Sequence, residues 1–360
     1  MEETEVCIIG AGLAGLSAAR WIRKPAILIE KKSEIGKPVR CGEGISLAAF
    51  VRENIPTQGP HIANLVNEVR RSFPNAKVIG QMRERPYAAI LFKDKLEQWL
   101  SSQSAAEIRL NTILTNATKE NDSWLLTTNQ GVIRTKYVIA ADGPASVVRR
   151  LTMRPKINCL PAVAEIISAS PRSEEIECCL FFGNQVAPGG YTWVFKQSGN
   201  YYNVGITMRE NGASRNYLQR FLNEKFTDIQ RLENRSGLIP SQGWSHDCHY
   251  ENILFVGDAG SFVDPIFKGG NGLALATGRL AAQALNHGRP QKFTQDVKSW
   301  PISAGELNSC ANWLYGADDK ELCLLADYML NSDARQEKYA DWSRVKYFLE
   351  TWGKARNFVW

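Results

Sequence analysis

Gly10, Gly12 and Gly15 are spaced as a GxGxxG turn, Gly10-Ala11-Gly12-Leu13-Ala14-Gly15, between an apolar run at 6–9 and a helical pattern at 13–22. That order of residue types suits a phosphate. The first glycine permits the tight turn, the second lets a pyrophosphate approach the backbone, and the third lets the helix pack on the sheet. Leu13 and Ala14 open the helix, whose N-terminus presents unpaired N–H groups and a partial positive charge to an anion. Glu30 closes a second apolar run at 26–30, about 20 residues on, where a carboxylate accepts from ribose hydroxyls. Glu30 speaks against a ribose 2′-phosphate here, although Lys31 and Lys32 follow it. A glycine turn without a ligand is the alternative, and the strand before the turn, the helix after it and Glu30 together favour a dinucleotide.

Two further glycine turns lie downstream. Asp142-Gly143 follows an apolar run at 132–140 and leads to Arg149-Arg150. Gly257-Asp258-Ala259-Gly260 follows a run at 253–256 and leads through Pro265 to Gly269-Gly270-Asn271-Gly272. This last turn opens a helix whose dipole would stabilise negative charge on a ring lying over it. Ala274, Ala276, Gly278, Ala281 and Ala282 allow close packing beneath a flat group. The competing reading is a small-residue core helix.

Two stretches bear on a substrate. Pro188-Gly189-Gly190-Tyr191-Thr192-Trp193-Val194-Phe195-Lys196 reads as a strand. With a period of two, Tyr191, Trp193 and Phe195 share one face, either as an apolar wall for a ligand or as sheet core. Pro38-Val39-Arg40-Cys41-Gly42-Glu43-Gly44 sets a thiol beside a guanidinium. That neighbour is expected to depress the thiol pKa and to suit Cys41 as a proton donor; the alternative is a small residue needed for fit.

The three glycine motifs in this order resemble the flavoprotein group that includes para-hydroxybenzoate hydroxylase and the geranylgeranyl reductases. The aromatic stretch is similar to the PxxYxWxFP signature of the geranylgeranyl reductases, which continues after seven or eight residues to GxG. Here eight residues separate Lys196 from Gly205-Ile206-Thr207, with Lys196 and Thr207 where the signature has Pro and Gly. The Cys41-Gly42 stretch is similar to one that lies near the flavin in that family. The resemblance spans about residues 1–290. It implies FAD, with the ADP half on Gly10, Gly12, Leu13, Ala14, Gly15, Glu30 and Lys31. It implies that Asp142 and Gly143 border the pyrophosphate and that Gly257-Asp258 takes the ribityl chain. Arg40, Lys93, Pro265, Gly269, Gly270, Asn271 and Gly272 would flank the flavin, with Leu114 a further cofactor contact; the family usually has Arg where this chain has Lys93. It further implies an isoprenoid cavity lined by Tyr191, Trp193 and Phe195, and Cys41 as the catalytic residue.

The activity so implied is reduction of C=C bonds in an apolar, isoprenoid-type substrate by hydride from reduced flavin. With one GxGxxG in the chain, NAD(P)H or another donor is expected to bind only transiently. A flavin monooxygenase on the same scaffold is the runner-up, and a flavin electron carrier without turnover is the alternative from another class.

Composition frames these readings. The 360 residues suggest about two domains. With 44% hydrophobic and 22% charged residues the chain is an ordinary globular protein, which excludes a disordered or coiled-coil chain. A net charge of +6 is mildly basic and is no nucleic-acid signature by itself. The absence of a long apolar run argues against a membrane-spanning helix, and the acidic N-terminus against a secretory signal. Eight cysteines without a CxxC pair fit a reduced cytoplasmic protein. Cys178 and Cys179 should point to opposite faces of a strand, and His246-Asp247-Cys248-His249 lacks the second ligand pair of a metal site.

The expected architecture is α/β. A Rossmann-like, three-layer FAD-binding domain (1–75, 93–155 and 245–300) carries an inserted antiparallel-sheet substrate domain (76–92 and 156–244) and a helical C-terminal segment (301–360). In that segment Trp342, Val345, Leu349 and Trp352 form a stripe that suits either a membrane surface or packing against the body. The partner expected is an apolar small molecule or lipid, with no nucleic acid; peripheral membrane contact and oligomeric state are left open.

Overall fold

The computed structural model describes residues 1–80, 82–173, 177–209, 212–244, 248–330 and 342–359. Glu2–Ile9 lies inside an eight-stranded sheet. Its main path runs His249–Tyr250, Ile253–Phe255, Gly131–Ala140, Glu2–Ile9, Ala26–Ile29, Glu107–Arg109. Five of these strands are parallel to their neighbours. Ser123–Thr128 and Leu114–Glu120 fold back antiparallel from Gly131–Ala140.

Val6, Cys7, Ile8 and Ile9 are all buried, as a parallel strand covered on both faces requires. Val6 and Ile8 face the helices Leu13–Trp21 and Asn271–Asn286, whereas Cys7 and Ile9 face Trp124 and Leu126 of the antiparallel strands. The layers are therefore helices, parallel sheet and meander. The two helices meet backbone to backbone. A Cβ on Gly278 would lie 2.1 Å from the Ala14 carbonyl oxygen, and Ser17 Oγ donates to the Leu275 carbonyl at 2.7 Å. Gly278, Ala14 and Ser17 make this close approach possible. The second helix stops where Gly288 turns into the left-handed region at φ +66°, just before Pro290.

A second sheet has seven strands in the order Phe226–Pro240, Cys159–Pro171, Tyr201–Thr207, Tyr191–Lys196, Cys178–Phe181, Arg70–Phe73, Lys77–Ile79. All of its pairings are antiparallel except Arg70–Phe73 with Cys178–Phe181. Period two holds on Tyr201–Thr207, Tyr191–Lys196 and Cys178–Phe181, whereas Cys159–Pro171 and Phe226–Pro240 pair with irregularities at Ile166/Ile167 and Ser168/Ser170. Cys178, Leu180, Tyr191, Trp193 and Phe195 face the main core. Cys179, Phe181, Val194 and Val204 face Leu218, Phe221 and Leu222 of the helix Ser214–Lys225. Cys178 and Cys179 thus point apart. Arg70–Phe73 and Lys77–Ile79 form one hairpin, so the chain enters this sheet before residue 75, slightly earlier than expected. Ala88–Leu91, also assigned above to the substrate domain, pairs instead with Gly44–Ser46 and Ile62–Val66 in a separate small sheet.

Helices Gln291–Lys298, Ala304–Gly316, Asp319–Leu330 and Trp342–Val359 follow. On the last helix the described part of the stripe, Val345, Leu349 and Trp352, faces inward. Val345, Phe348 and Trp352 are buried, and the Trp352 ring meets the Phe267 ring edge-on at 4.6 Å. Packing against the body therefore takes up Val345 and Trp352. The Trp342 side chain, His246 and Asp247 lie outside what the structure describes. Among the described residues no helix is long and apolar enough to cross a membrane.

Candidate active site

One cavity opens between the two large sheets and gathers residues from the whole chain. Gly12, Leu13 and Ala14 line it from the first turn, Ala141 and Gly143 from the second, and Gly257, Asp258, Gly269, Gly270 and Asn271 from the third. Arg40, Cys41 and Lys93 complete that side. Tyr191, Trp193 and Phe195 form the opposite wall together with Leu180. The remaining expected residues, Gly10, Gly15, Glu30, Lys31, Leu114, Asp142, Pro265 and Gly272, lie outside the lining.

Their positions explain several of these exclusions. A Cβ on Gly15 would sit 1.9 Å from the Gly10 carbonyl oxygen, and one on Gly10, at φ +102°, would sit 2.5 Å from the Ala141 oxygen. Both glycines serve close packing. Glu30 braces the turn: its Oε2 accepts from Ala11 N at 2.7 Å and its Oε1 from Lys32 N at 3.0 Å. Leu114 is buried with Trp124 and Val148 in the core on the other side of the parallel sheet.

Three observations test whether these residues suit a dinucleotide. A Cβ on Gly12 would meet nothing within 4 Å, so the glycine leaves clear space over a helix N-terminus. Asp142 Oδ1 is buried with no hydrogen-bond partner, directly between the two cavity residues Ala141 and Gly143. Asp258 presents a carboxylate to the cavity, and burial pushes its pKa up to about 6, opposed only in part by Lys93. An acceptor that costs the protein this much to hold charged suits a ligand rich in hydroxyl donors. All three fit FAD.

The same burial sets a stability prediction. The folded pKa of Asp258 lies above its ordinary value, so the native state takes up a proton more readily than the unfolded chain, and stability falls as pH rises through about 6. In flavin-free protein, Asp258→Asn is expected to raise the melting temperature at pH values above about 7 and to lose that advantage toward pH 4. Thermal melts across that range read the difference.

Cys41 is held from two directions. The Glu43 backbone N–H donates to Cys41 Sγ at 3.2 Å, and Asn271, opening the helix of the third turn, donates its Nδ2 to Sγ at 3.5 Å and to the Gly44 carbonyl at 2.9 Å. The structure corrects one expectation here. Burial raises the Cys41 pKa, Lys93 opposes it and Glu43 reinforces it; Arg40 is exposed and is not among the groups acting on it. The thiol stays protonated. Lys93 pairs with the buried Glu97 one helical turn on. Burial would lower its pKa, but the carboxylates of Glu97 and Asp258 outweigh that and leave it raised.

Sequence reasoning missed a polar cluster beneath this wall. Glu43 is buried, and its carboxylate pairs with Arg235 at 2.7 Å. Asn203 links the same carboxylate to Trp193, whose Nε1 donates to Asn203 Oδ1 at 3.0 Å. Lys268 was also missed. It lines the cavity, donates to the carbonyls of Ser241 and Pro265, and is lowered to about 8 by burial. Glu43 between two glycines and Asn203 inside an apolar strand carry the local signals here, whereas Arg235 sits in a polar stretch and Lys268 before a glycine turn.

The aromatic wall is tightly fitted. Tyr191 OH donates to the Phe267 carbonyl at 2.7 Å. The Trp193 indole lies on Gly205, where a Cβ would come 2.2 Å from Cζ2. Residues 160–239, which include this wall, match the family model for the geranylgeranyl reductase catalytic domain. Over 368 residues the chain is 30% identical to digeranylgeranylglycerophospholipid reductase 2 of Methanosphaera stadtmanae, covering 92% of this chain and 93% of that one. It is 30% identical over 340 residues to the digeranylgeranylglycerophospholipid reductase of Methanoculleus marisnigri, covering 87% and 81%. In fold it is similar to a geranylgeranyl bacteriochlorophyll reductase-like protein from Thermoplasma acidophilum, with a TM-score of 0.84, 24% identity and 98% of each chain covered. A probable FAD-dependent monooxygenase from Pseudomonas aeruginosa shares the fold more distantly, at a TM-score of 0.67 and 15% identity over 91% of this chain and 100% of that one. Identity at the level of the Methanosphaera reductase, sustained over nearly all of both chains, means that the chain belongs to the geranylgeranyl reductase family of FAD-dependent oxidoreductases.

Proposed function

We propose that the chain is an FAD-dependent reductase that saturates C=C bonds of an isoprenoid-type lipid or other apolar chain. The observation that carries this reading is a single cavity with dinucleotide-type turns on one side and Leu180, Tyr191, Trp193 and Phe195 on the other. In this reading the Gly12 turn and the helix N-terminus behind it hold the pyrophosphate, Glu30 the ribose and Asp258 the ribityl chain. Lys93, Arg40 and the Gly269–Gly270 turn border the ring. Bound and reduced, FAD supplies a hydride equivalent to one carbon of the double bond. The aromatic wall orients the apolar chain and excludes water. Cys41, kept protonated by burial, holds a proton at Sγ for the other carbon. NAD(P)H, binding transiently, is the electron donor of this reading. A membrane-borne chain would enter beside Leu238, which lines the cavity yet is 48% exposed.

The test is anaerobic. The protein is reduced, and polyprenyl lipids, quinones and aromatic compounds are added in turn. Reoxidation with a product heavier by two hydrogens per bond supports the proposal. Reoxidation only on admitting air, with a product heavier by one oxygen, supports a monooxygenase instead.

The wall carries its own prediction. In Gly205→Ala the new Cβ also approaches Ala164 Cβ to 2.7 Å, so the Trp193 indole must shift into the cavity. Overpacking of this kind costs about 1–3 kcal/mol. The expected result is unchanged flavin content with KM for a long isoprenoid raised roughly tenfold. Steady-state kinetics against chains of different length give the measurement.

A further inference from the structure

We infer that Glu43 is the positioning residue for Cys41, acting as the hub of a buried polar network that ties the Cys41 loop to the second sheet. The inference rests on the reductase reading of the cavity. Glu43 is 1% exposed, and its backbone is in the left-handed region at φ 71°, where non-glycine residues are held only when the surroundings over-determine them. Here four donors converge on its carboxylate. Oε2 accepts from Gln197 Nε2 at 3.0 Å, Asn203 Nδ2 at 3.0 Å and Arg235 Nη1 at 2.7 Å. Oε1 accepts from the Lys93 backbone N–H at 3.1 Å, at the start of the helix Lys93–Ser102.

That conformation aims the Glu43 backbone N–H at Cys41 Sγ, 3.2 Å away. Asn203 closes the loop from the other side, donating to the Cys41 carbonyl at 3.0 Å while accepting from Trp193. The thiol, the Trp193 indole and the start of the Lys93 helix therefore share one anchor. An ionised carboxylate has the lone pairs for four donors. A glutamine of the same shape would turn an NH2 group toward one of them. The negative charge two residues from the thiol also helps to keep it protonated.

The test measures thiol accessibility in the FAD-loaded protein. N-ethylmaleimide labelling is followed residue by residue with peptide mass spectrometry, in the natural protein, in Glu43→Gln and in Asn203→Ala. Both variants should label Cys41 on the order of tenfold faster, because the loop loosens and the thiolate fraction rises. The buried thiols of Cys7, Cys178 and Cys310 should stay at their original rates. An unchanged Cys41 rate overturns the inference, and so does a rise shared equally by those three thiols, which would mark general loosening. If Glu43→Gln does not accumulate as folded protein, Asn203→Ala decides by the same criterion, since it leaves the Glu43–Arg235 pair in place. Labelling requires no turnover. A negative alkene assay therefore bears on the reductase reading alone, and unaltered labelling bears on Glu43 alone.

Discussion

Gly12→Val is expected to yield a folded protein that purifies without flavin. Gly12 has φ −83° and ψ −176°, extended backbone that valine adopts freely, and no atom lies within 4 Å of the Cβ position. The substitution costs the fold almost nothing. Its side chain fills the space through which a pyrophosphate would reach the helix N-terminus, cutting off charge-assisted hydrogen bonds together worth about 3 kcal/mol, a weakening on the order of a hundredfold. Gly15→Ala is the control. Its Cβ would collide with the Gly10 carbonyl at 1.9 Å, prising the helix from the sheet, so it should lower stability directly. Flavin absorbance per mole of protein, read beside a melting curve, separates the two. Full flavin content in Gly12→Val would remove the pyrophosphate from this turn.

Arg235→Met should have the largest effect on stability. The Arg235 and Glu43 side chains are 8% and 2% exposed. Removing the guanidinium leaves a carboxylate buried without its counter-charge, which costs about 3–5 kcal/mol. Gln197 and Asn203 still donate to that carboxylate, but they carry no charge. The double variant Glu43→Gln with Arg235→Met should recover much of the loss, because the unpaired charge goes with its partner. Urea unfolding midpoints of both singles and the double close this cycle. Equal losses in Arg235→Met and the double would show that the pair contributes packing and no charge compensation.

These two experiments divide along what can be read from the chain without its fold. Gly10, Gly12 and Gly15 were readable because their work is local: a strand, a tight turn and a helix start within a dozen residues, and backbone geometry admits few residue types there. The period-two face of Tyr191, Trp193 and Phe195 was readable for the same reason, since a strand alternates whatever lies beside it. The Arg40–Cys41 reading went astray because adjacency in sequence says nothing about environment. Arg40 is exposed, while the thiol turns inward to meet Asn271, 230 residues away.

Order along the chain thus determined the turns, the strand faces and, through them, the kind of cofactor. Which groups share one buried space was decided by folding alone. Glu43 meets Arg235 across 192 residues, and the stripe of Val345 and Trp352 finds the interior rather than a surface. Local conformation depends on a few neighbouring side chains, whereas the protonation of a thiol or the pairing of a carboxylate depends on desolvation and on charges that distant segments bring within a few ångströms.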